Sequence, residues 1–191
     1  AEDFIKHYET RVAEGATVAG KAMFVCSNRN IAYDFYKIVK ELRPEWTEKK
    51  ICDDGVVLSE KDKKELKPME KIKLVMTRNK DDEKDLFDML GTKEDRKEFD
   101  RQFKNPKSNF KIAIVVDMWL TGFDVPELDT IYIDKPIQQH TLIQTISRVN
   151  RVCEGKDKGL IVDYIGIKKN MNTALKKYTN FESEEFEGVE Q

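Results

Sequence analysis

The sequence has few of the residues that build metal sites and disulfide frameworks. It contains three cysteines and two histidines, and Cys26, Cys52 and Cys153 are widely spaced, with no Cys-x-x-Cys pair. Zinc sites need about four such ligands at short spacings, and disulfide frameworks need an even number of cysteines. We therefore expect reduced, packed thiols, no bound metal ion and a cytoplasmic protein.

Long apolar runs and a strong net charge are also lacking. No window approaches the roughly 18 apolar residues of a membrane-spanning helix, and the N-terminus has no signal-peptide core. The net charge of −2 argues against a protein that coats nucleic acid, although a balanced total still permits a local cationic groove. The sequence therefore predicts a soluble protein with no membrane partner.

The chain does have enough apolar sequence for one substantial core. At 191 residues, with 39% hydrophobic and 37% charged residues, it is long enough for one domain and short for two. It begins at Ala1 and ends in an acidic tail over residues 182–191. These two features indicate a fragment of a longer protein.

Short apolar strands alternate with helices along most of the sequence. The pattern predicts strands at 22–26, 72–76, 110–116, 130–133 and 159–163, and helices at 2–13, 31–42, 93–103, 139–151 and 167–177. Residues 45–70 are charged and irregular, which indicates a variable insertion, and residues 79–85 form an acidic loop. The alternation predicts an α/β fold with a mostly parallel sheet covered on both faces, whose ligands bind at the C-terminal strand ends.

The segment Asp117-Met-Trp-Leu-Thr-Gly-Phe-Asp-Val-Pro126 follows the third predicted strand. Such a segment is usually a turn, in which Gly122 supplies permissive backbone angles. The functional alternative gives Thr121 a hydroxyl for a phosphate, and Asp124 a carboxylate for a ribose hydroxyl or an arginine.

The segment Gln144-Thr-Ile-Ser-Arg148-Val-Asn-Arg151 lies on a predicted helix that begins near Gln139. At about 100° per residue, Gln144, Arg148 and Arg151 fall within roughly 60° of each other, beside His140. The opposite face is apolar and carries Leu142, Ile146 and Val149. Guanidinium donors on one face suit an anionic ligand such as a nucleotide phosphate, although surface arginines are more often solvated or ion-paired.

One phosphate-binding pattern is rejected. Gly15-Ala-Thr-Val-Ala-Gly20-Lys21-Ala22 nearly matches a P-loop, but a working P-loop follows a strand and opens a helix. Here the glycines precede a predicted strand, and Ala22 stands where a magnesium-binding hydroxyl residue would be. We interpret this segment as a connecting loop.

Taken together, the segments resemble the second RecA-like domain of a superfamily 2 helicase or translocase. More narrowly, they resemble the motor (R, or HsdR-type) subunit of type I restriction enzymes. Residues 21–29 resemble motif IV of that family, residues 117–126 motif V and residues 144–151 motif VI. The resemblance implies a three-layer RecA-like domain over residues 1–178, and an acidic linker over residues 179–191 toward a following domain.

The resemblance also implies roles for the site residues. Arg148 and Arg151 would act as arginine fingers on ATP bound by the first RecA-like domain, with Gln144 near the γ-phosphate or the attacking water. Gly122 and Asp124 would lie at the nucleotide edge of the cleft. The residues that would touch the DNA backbone are Ser27, Asn28, Arg29 and Thr121.

The chain departs from a complete motor in lacking a P-loop, an acidic magnesium-binding motif and a nuclease motif. The resemblance therefore implies that ATP and Mg²⁺ are bound mainly by the first RecA-like domain, and that this fragment alone binds neither and is inactive. The implied partners are double-stranded DNA and the specificity and methyltransferase subunits of a type I restriction complex.

Two alternatives stay open at this point. One is a domain of another superfamily 2 motor, including a DEAD-box-like RNA helicase. The other is a non-enzymatic interaction module that has kept the fold. Arginines aimed into a cleft, and not paired on the surface, would argue against such a module.

Overall fold

The computed structural model describes residues 1–120, 122–137, 139–156 and 158–166, and one parallel sheet organises them. The strand order is β2-β3-β1-β4-β5, and every neighbouring pair is parallel. The strands are β1 (Lys21–Cys26), β2 (Ile72–Val75), β3 (Ile112–Val115), β4 (Leu128–Asp134) and β5 (Leu160–Asp163). The predicted α/β class with a mostly parallel sheet is confirmed.

Helices cover both faces of this sheet. They are α1 (Glu2–Ala13), α2 (Arg29–Leu42), α3 (Glu60–Glu65), α4 (Lys84–Leu90), α5 (Lys93–Lys104) and α6 (Gln139–Val149), with a 3-10 helix at Pro44–Thr47. Buried side chains of α1, α2 and α4 pack on one face, and those of α5 and α6 on the other. The result is the three-layer arrangement of a RecA-like domain. The predicted helix at 167–177 and the linker at 179–191 lie outside the described residues.

The alternation of side chains along β1 explains why the core has two halves. Ala22, Phe24 and Cys26 belong to the apolar cluster under α1, α2 and α4, whereas Met23 and Val25 belong to the cluster under α5 and α6. A central parallel strand is buried on both faces, so β1 is apolar after Lys21 and shows no polar alternation. This is why the strands were recognisable from the sequence.

Two segments expected to be irregular contain short helices. Residues 45–70 are irregular over most of their length, but they include the end of the 3-10 helix and all of α3, and Trp46, Leu66 and Met69 are buried, so this segment contributes to the core. Ser59 and Asp62 form a capping box that starts α3. The expected acidic loop at 79–85 ends early, because α4 begins at Lys84 and buries Leu86 and Leu90.

Lys21 is an unusual buried cation at the start of the central strand. Its side chain has no exposed surface, and Nζ donates a hydrogen bond to the Phe110 carbonyl oxygen at 2.5 Å. No carboxylate forms an ion pair with it in the described parts of the chain. Burial lowers the pKa of Lys21 well below its ordinary value, Lys111 lowers it further, and Asp53 and Glu127 oppose the change.

We predict that Lys21→Met stabilises the domain near neutral pH by about 1 kcal/mol or more, because an unpaired buried charge is removed. The folded pKa of Lys21 lies below the unfolded one, so between them the unfolded chain binds more protons and stability rises with pH. In the Lys21→Met variant, stability should no longer rise with pH over this range. Urea unfolding across neutral to alkaline pH tests this, and an unchanged pH profile would contradict it.

Candidate functional site

The carboxyl ends of all five strands lie at one edge of the sheet, and the candidate site residues are in the loops that leave this edge. Because β1 lies between β3 and β4, the loops that follow these three strands are neighbours. Residues 27–29 follow β1, residues 116–127 follow β3 and residues 135–138 precede α6. Ligands of open α/β sheets bind at this edge. The rejected P-loop match precedes β1 and lies at the opposite edge.

The loop after β3 brings together the two segments that the sequence singled out. Arg148 of α6 donates a hydrogen bond from Nε to the carbonyl oxygen of Leu120 at 3.0 Å. Arg151 donates from Nη1 to the Asp124 carboxylate at 2.6 Å. The two arginines therefore contact the same loop, at points four residues apart.

Arg148 and Arg151 differ in how fully they are engaged. The terminal nitrogens of Arg148 make no hydrogen bond with the described residues, and burial lowers its pKa from the ordinary value. Asp124 opposes this lowering and Arg151 adds to it. Arg151 lies two residues beyond the end of α6, and its pair with Asp124 is half-exposed, at 54% and 51% of the two side chains.

Gln144 lies on the same helix, one turn before Arg148. Its Nε2 atom is 3.0 Å from His140 Nε2, and Gln144 is half-buried whereas His140 is exposed. The apolar side predicted for this helix is confirmed, because Leu142 and Val149 are buried and Ile146 packs against the same cluster. Gln144 and Arg148 therefore share the face that is turned away from the core.

The loop after β1 is held by contacts within the chain. Asn28 caps α2, where its side-chain oxygen accepts a hydrogen bond from Ile31 N at 3.0 Å. Arg29 donates to the Thr77 carbonyl oxygen and to both carboxylate oxygens of Asp82, each at 2.6 Å. The Asp82 side chain is only 6% exposed. Ser27 is half-buried and Asn28 is exposed, while Thr121 lies outside the described residues.

A recess of about 160 Å³ opens beside Arg29, at the edge of the sheet where the strands end. Its lining combines the loops after β1, β2 and β3, and consists of Arg29, Met76, Thr77, Asn79, Val116, Asp117 and Met118. Lys135, which follows β4, donates hydrogen bonds to the Val116 carbonyl oxygen at 3.0 Å and to the Asp117 carboxylate. Charges of both signs therefore lie at the edge of the recess.

Sequence reasoning missed four residues that organise this edge. Asp82 fixes Arg29, Lys135 pairs with Asp117, and the ring of Trp119 stacks on that of Phe123. The ion-pair partners come from loops far apart in sequence, so no local pattern identifies them. The only sequence feature that could have indicated the stack was the occurrence of two aromatic residues, Trp119 and Phe123, four residues apart in one loop.

No arrangement for a metal ion or a membrane span is found in the part of the chain that the structure describes. Within it, no three His, Cys, Asp or Glu side chains are grouped as metal ligands. None of its helices has both the length and the apolar character needed to cross a membrane.

Comparison with known proteins decides between the open family alternatives. Domain 3 of the R subunit of type I restriction enzymes is a family whose profile matches residues 18–166. The chain belongs to this family. Its segments at 117–126 and 144–151 are thus those of an R-subunit domain 3, as their resemblance indicated.

Curated relatives of this R-subunit domain 3 are much longer than the chain. The chain is 39% identical over 183 residues to the type I restriction enzyme HindI endonuclease subunit of Haemophilus influenzae. The matched region is 94% of this chain and 16% of that relative. The chain therefore spans about one sixth of the length of that endonuclease subunit.

Solved structures show the fold of this R-subunit domain 3. A fragment of an HsdR subunit of a type I restriction enzyme from Vibrio vulnificus YJ016 matches 79% of this chain and 24% of its own, with a TM-score of 0.54 and 15% identity. The C-terminal domain of Saccharomyces cerevisiae Dbp5 matches 91% of this chain and 77% of its own, with a TM-score of 0.50 and 15% identity. At these identities the likeness concerns the fold alone.

Proposed function

We propose that this domain supplies the arginine half of an ATP site in the R subunit, and that it helps to hold duplex DNA while the subunit translocates it toward cleavage. ATP and Mg²⁺ would be held mainly by another domain of the subunit. The observation that carries the ATP side is Arg148, which is fixed at Nε and has terminal nitrogens with no partner in the described chain.

Arg148 and Arg151 have the chemistry that phosphoryl transfer needs at the far side of an ATP site. Negative charge on the transferring phosphoryl group is stabilised by fixed cationic donors, and a guanidinium offers several donors in one plane. A hydrogen bond at Nε fixes the direction of the Arg148 side chain and leaves its terminal nitrogens for a ligand. Gln144, on the same face of α6, would lie near the γ-phosphate or the attacking water.

Arg151 would join the site by exchanging its partner. Its pair with Asp124 is half-exposed, and pairs of this kind contribute only about 0–1 kcal/mol, so a phosphate can displace the carboxylate at little cost. Asp124, beside Gly122, would then be free to accept a hydrogen bond from a ribose hydroxyl. An arginine paired at the surface, as Arg151 is, would also be expected in a non-enzymatic interaction module. The terminal nitrogens of Arg148, which are free of any partner among the described residues, favour a domain that takes part in ATP hydrolysis.

The arginines of this domain suit the phosphates of ATP and offer no ligand for Mg²⁺. Magnesium takes oxygen ligands from carboxylates and phosphates, and no three His, Cys, Asp or Glu side chains are grouped as metal ligands among the described residues. We therefore assign no magnesium ligand to this domain.

The DNA side of the proposal assigns Arg29 a bracing role. Its donors already meet the Thr77 carbonyl and the Asp82 carboxylate. Withdrawing them would leave this nearly buried carboxylate without its cation, with only the Asn79 backbone N–H as a donor, which is costly. Arg29 would thus join the loop after β2 to the start of α2. The hydroxyl of Ser27 and the side-chain amide of Asn28 would then contact the DNA backbone, together with Thr121.

We predict that Arg29→Ala and Asp82→Asn each weaken duplex binding by the intact R subunit, by about three- to tenfold and equally on unrelated sequences. If Arg29 braces the loops, the double variant should be no weaker than either single one, since both remove the same contact. The measurement is duplex affinity at several salt concentrations.

Arg101→Ala is the control variant for these substitutions. Arg101→Ala removes a similar ion pair, with Glu98, on the exposed side of α5 and should leave affinity unchanged. Tighter binding by Asp82→Asn would mean that the released Arg29 contacts phosphate directly, in which case Arg29→Ala should reduce the salt slope by about one. No effect of any of these variants would remove the loop from the DNA interface.

The wider assembly is part of the same proposal. Since the chain belongs to the R-subunit family, we propose the specificity and methyltransferase subunits of a type I complex as its partners. A cytoplasmic location follows, because that is where such a complex meets DNA.

A further inference from the structure

Trp119, in the loop after β3, has a backbone conformation that large residues rarely adopt. Its φ angle is 67°, in the left-handed region that favours glycine. The Trp119 ring is nevertheless buried, and it stacks on the Phe123 ring with centroids 4.0 Å apart and an interplanar angle of 4°. The stack connects two residues on either side of the turn at Gly122.

The aromatic core on this face of the sheet holds the stack in place. The Phe103 ring of α5 lies 5.3 Å from the Trp119 ring and 6.0 Å from the Phe123 ring. Lys104, the next residue of α5, has its Nζ 4.8 Å from the centroid of the Phe123 ring. A residue in a sparsely populated conformation persists only where its surroundings determine it, and these contacts do so here.

The conformation of Trp119 matters because of the residue that follows it. The Leu120 carbonyl oxygen accepts the hydrogen bond from Arg148 Nε, which is the one hydrogen bond of this guanidinium with the described residues. Backbone angles at Trp119 set the direction in which the chain enters Leu120. A shift at Trp119 would therefore turn the Leu120 carbonyl and move the Arg148 side chain with it.

We propose that Trp119 is a positioning residue for Arg148, because its stack on Phe123 holds the Leu120 carbonyl where it orients the guanidinium. Trp119 itself touches no ATP in this arrangement. The inference rests on the proposed function and deepens it, since it names what fixes the arginine. Small displacements of a catalytic group have large effects on rate, so the contribution of Trp119 should be seen in turnover and not in binding.

The test uses ATP hydrolysis by the intact R subunit in the presence of duplex DNA. Trp119→Ala is expected to lower kcat by about 30-fold while changing the KM for ATP by less than about threefold. Trp119→Phe keeps a ring for the stack and should restore kcat to within about fivefold of the unmodified subunit. Phe123→Leu removes the ring that stacks on Trp119 and leaves residue 119 unchanged. It should also lower kcat at a nearly constant KM, by less than Trp119→Ala does.

A double-variant comparison separates positioning from an independent role. Arg148→Lys keeps a cation but has no Nε–H group for the Leu120 carbonyl. In that background, Trp119→Ala should change kcat by less than about twofold, because the contact it positions is already gone. If the kcat losses of Trp119→Ala and Arg148→Lys multiply instead, Trp119 does not act through Arg148 and the inference is overturned.

Trp46 provides the matched structural control. It is the other tryptophan of the chain and is buried in the cluster on the opposite face of the sheet. Trp46→Ala should lower the melting temperature but change kcat by less than about twofold. An equal loss of kcat in Trp46→Ala would show general destabilisation and overturn the inference. If Arg148→Lys alone leaves kcat unchanged, the proposed function fails, and the inference fails with it.

Discussion

Replacing Arg148 with alanine in the intact R subunit should slow ATP hydrolysis by roughly 10³-fold or more, with ATP affinity changed by only about threefold. Arg148→Ala removes terminal donors that have no other partner in the described chain. Arg151→Ala should act in the same direction, since Arg151 meets the same loop through Asp124. Pre-steady-state hydrolysis and equilibrium ATP binding, measured on the same preparation, separate the two effects.

Stability should change little in these arginine variants. Both side chains are at least partly exposed, and such substitutions cost about 1 kcal/mol or less. Asp124→Asn is the control for Arg151→Ala, because it removes the ion pair and keeps the guanidinium, and its hydrolysis should stay within about tenfold of the unmodified subunit. Normal hydrolysis in both arginine variants, or unfolding of both, would show that the finger assignment is wrong.

The strands were predictable because central parallel strands are buried on both faces. A short, wholly apolar run such as Ile112–Val115 is typical of a strand buried on both faces and not of an amphipathic helix. The polar loops between such runs mark where each strand ends. Helix α6 was predictable because its apolar and polar faces separate at helical spacing. Helix α4 was missed because it is short and its two buried leucines stand among acidic residues.

Most contacts within the site depended on tertiary structure. The sequence offered Asp124 as a partner for an arginine or a ribose hydroxyl, but it did not identify which arginine. Motif resemblance singled out Arg148, Arg151 and Asp124, and the geometry joins Arg151 to Asp124. The partner of Arg148 is a backbone carbonyl, which any residue at position 120 would offer, so no side-chain pattern signals it. Asp82 was equally hidden, because the acidic stretch 81–85 contains several carboxylates and only the fold shows which one meets Arg29.

The isolated chain should hydrolyse no measurable ATP, even with Mg²⁺ and duplex DNA present. Phosphates of ATP are normally cradled by backbone N–H groups at the start of a helix, with Mg²⁺ held by nearby oxygen ligands. The Gly15–Gly20 segment enters β1 at the opposite edge of the sheet from Arg148, and among the described residues no three His, Cys, Asp or Glu side chains are grouped as metal ligands. Arginines stabilise charge on a phosphoryl group that something else must first hold.

The measurement compares phosphate release by the isolated chain with that by the intact R subunit at equal concentration. Circular dichroism first establishes that the isolated chain is folded, so that inactivity cannot be attributed to unfolding. Calorimetric titration with Mg-ATP should likewise give no saturable binding. If the chain turned over ATP within tenfold of the intact subunit, a complete ATP site would have to exist within this one domain. Arg148 and Arg151 would then need a role other than completing a site held by a neighbouring domain.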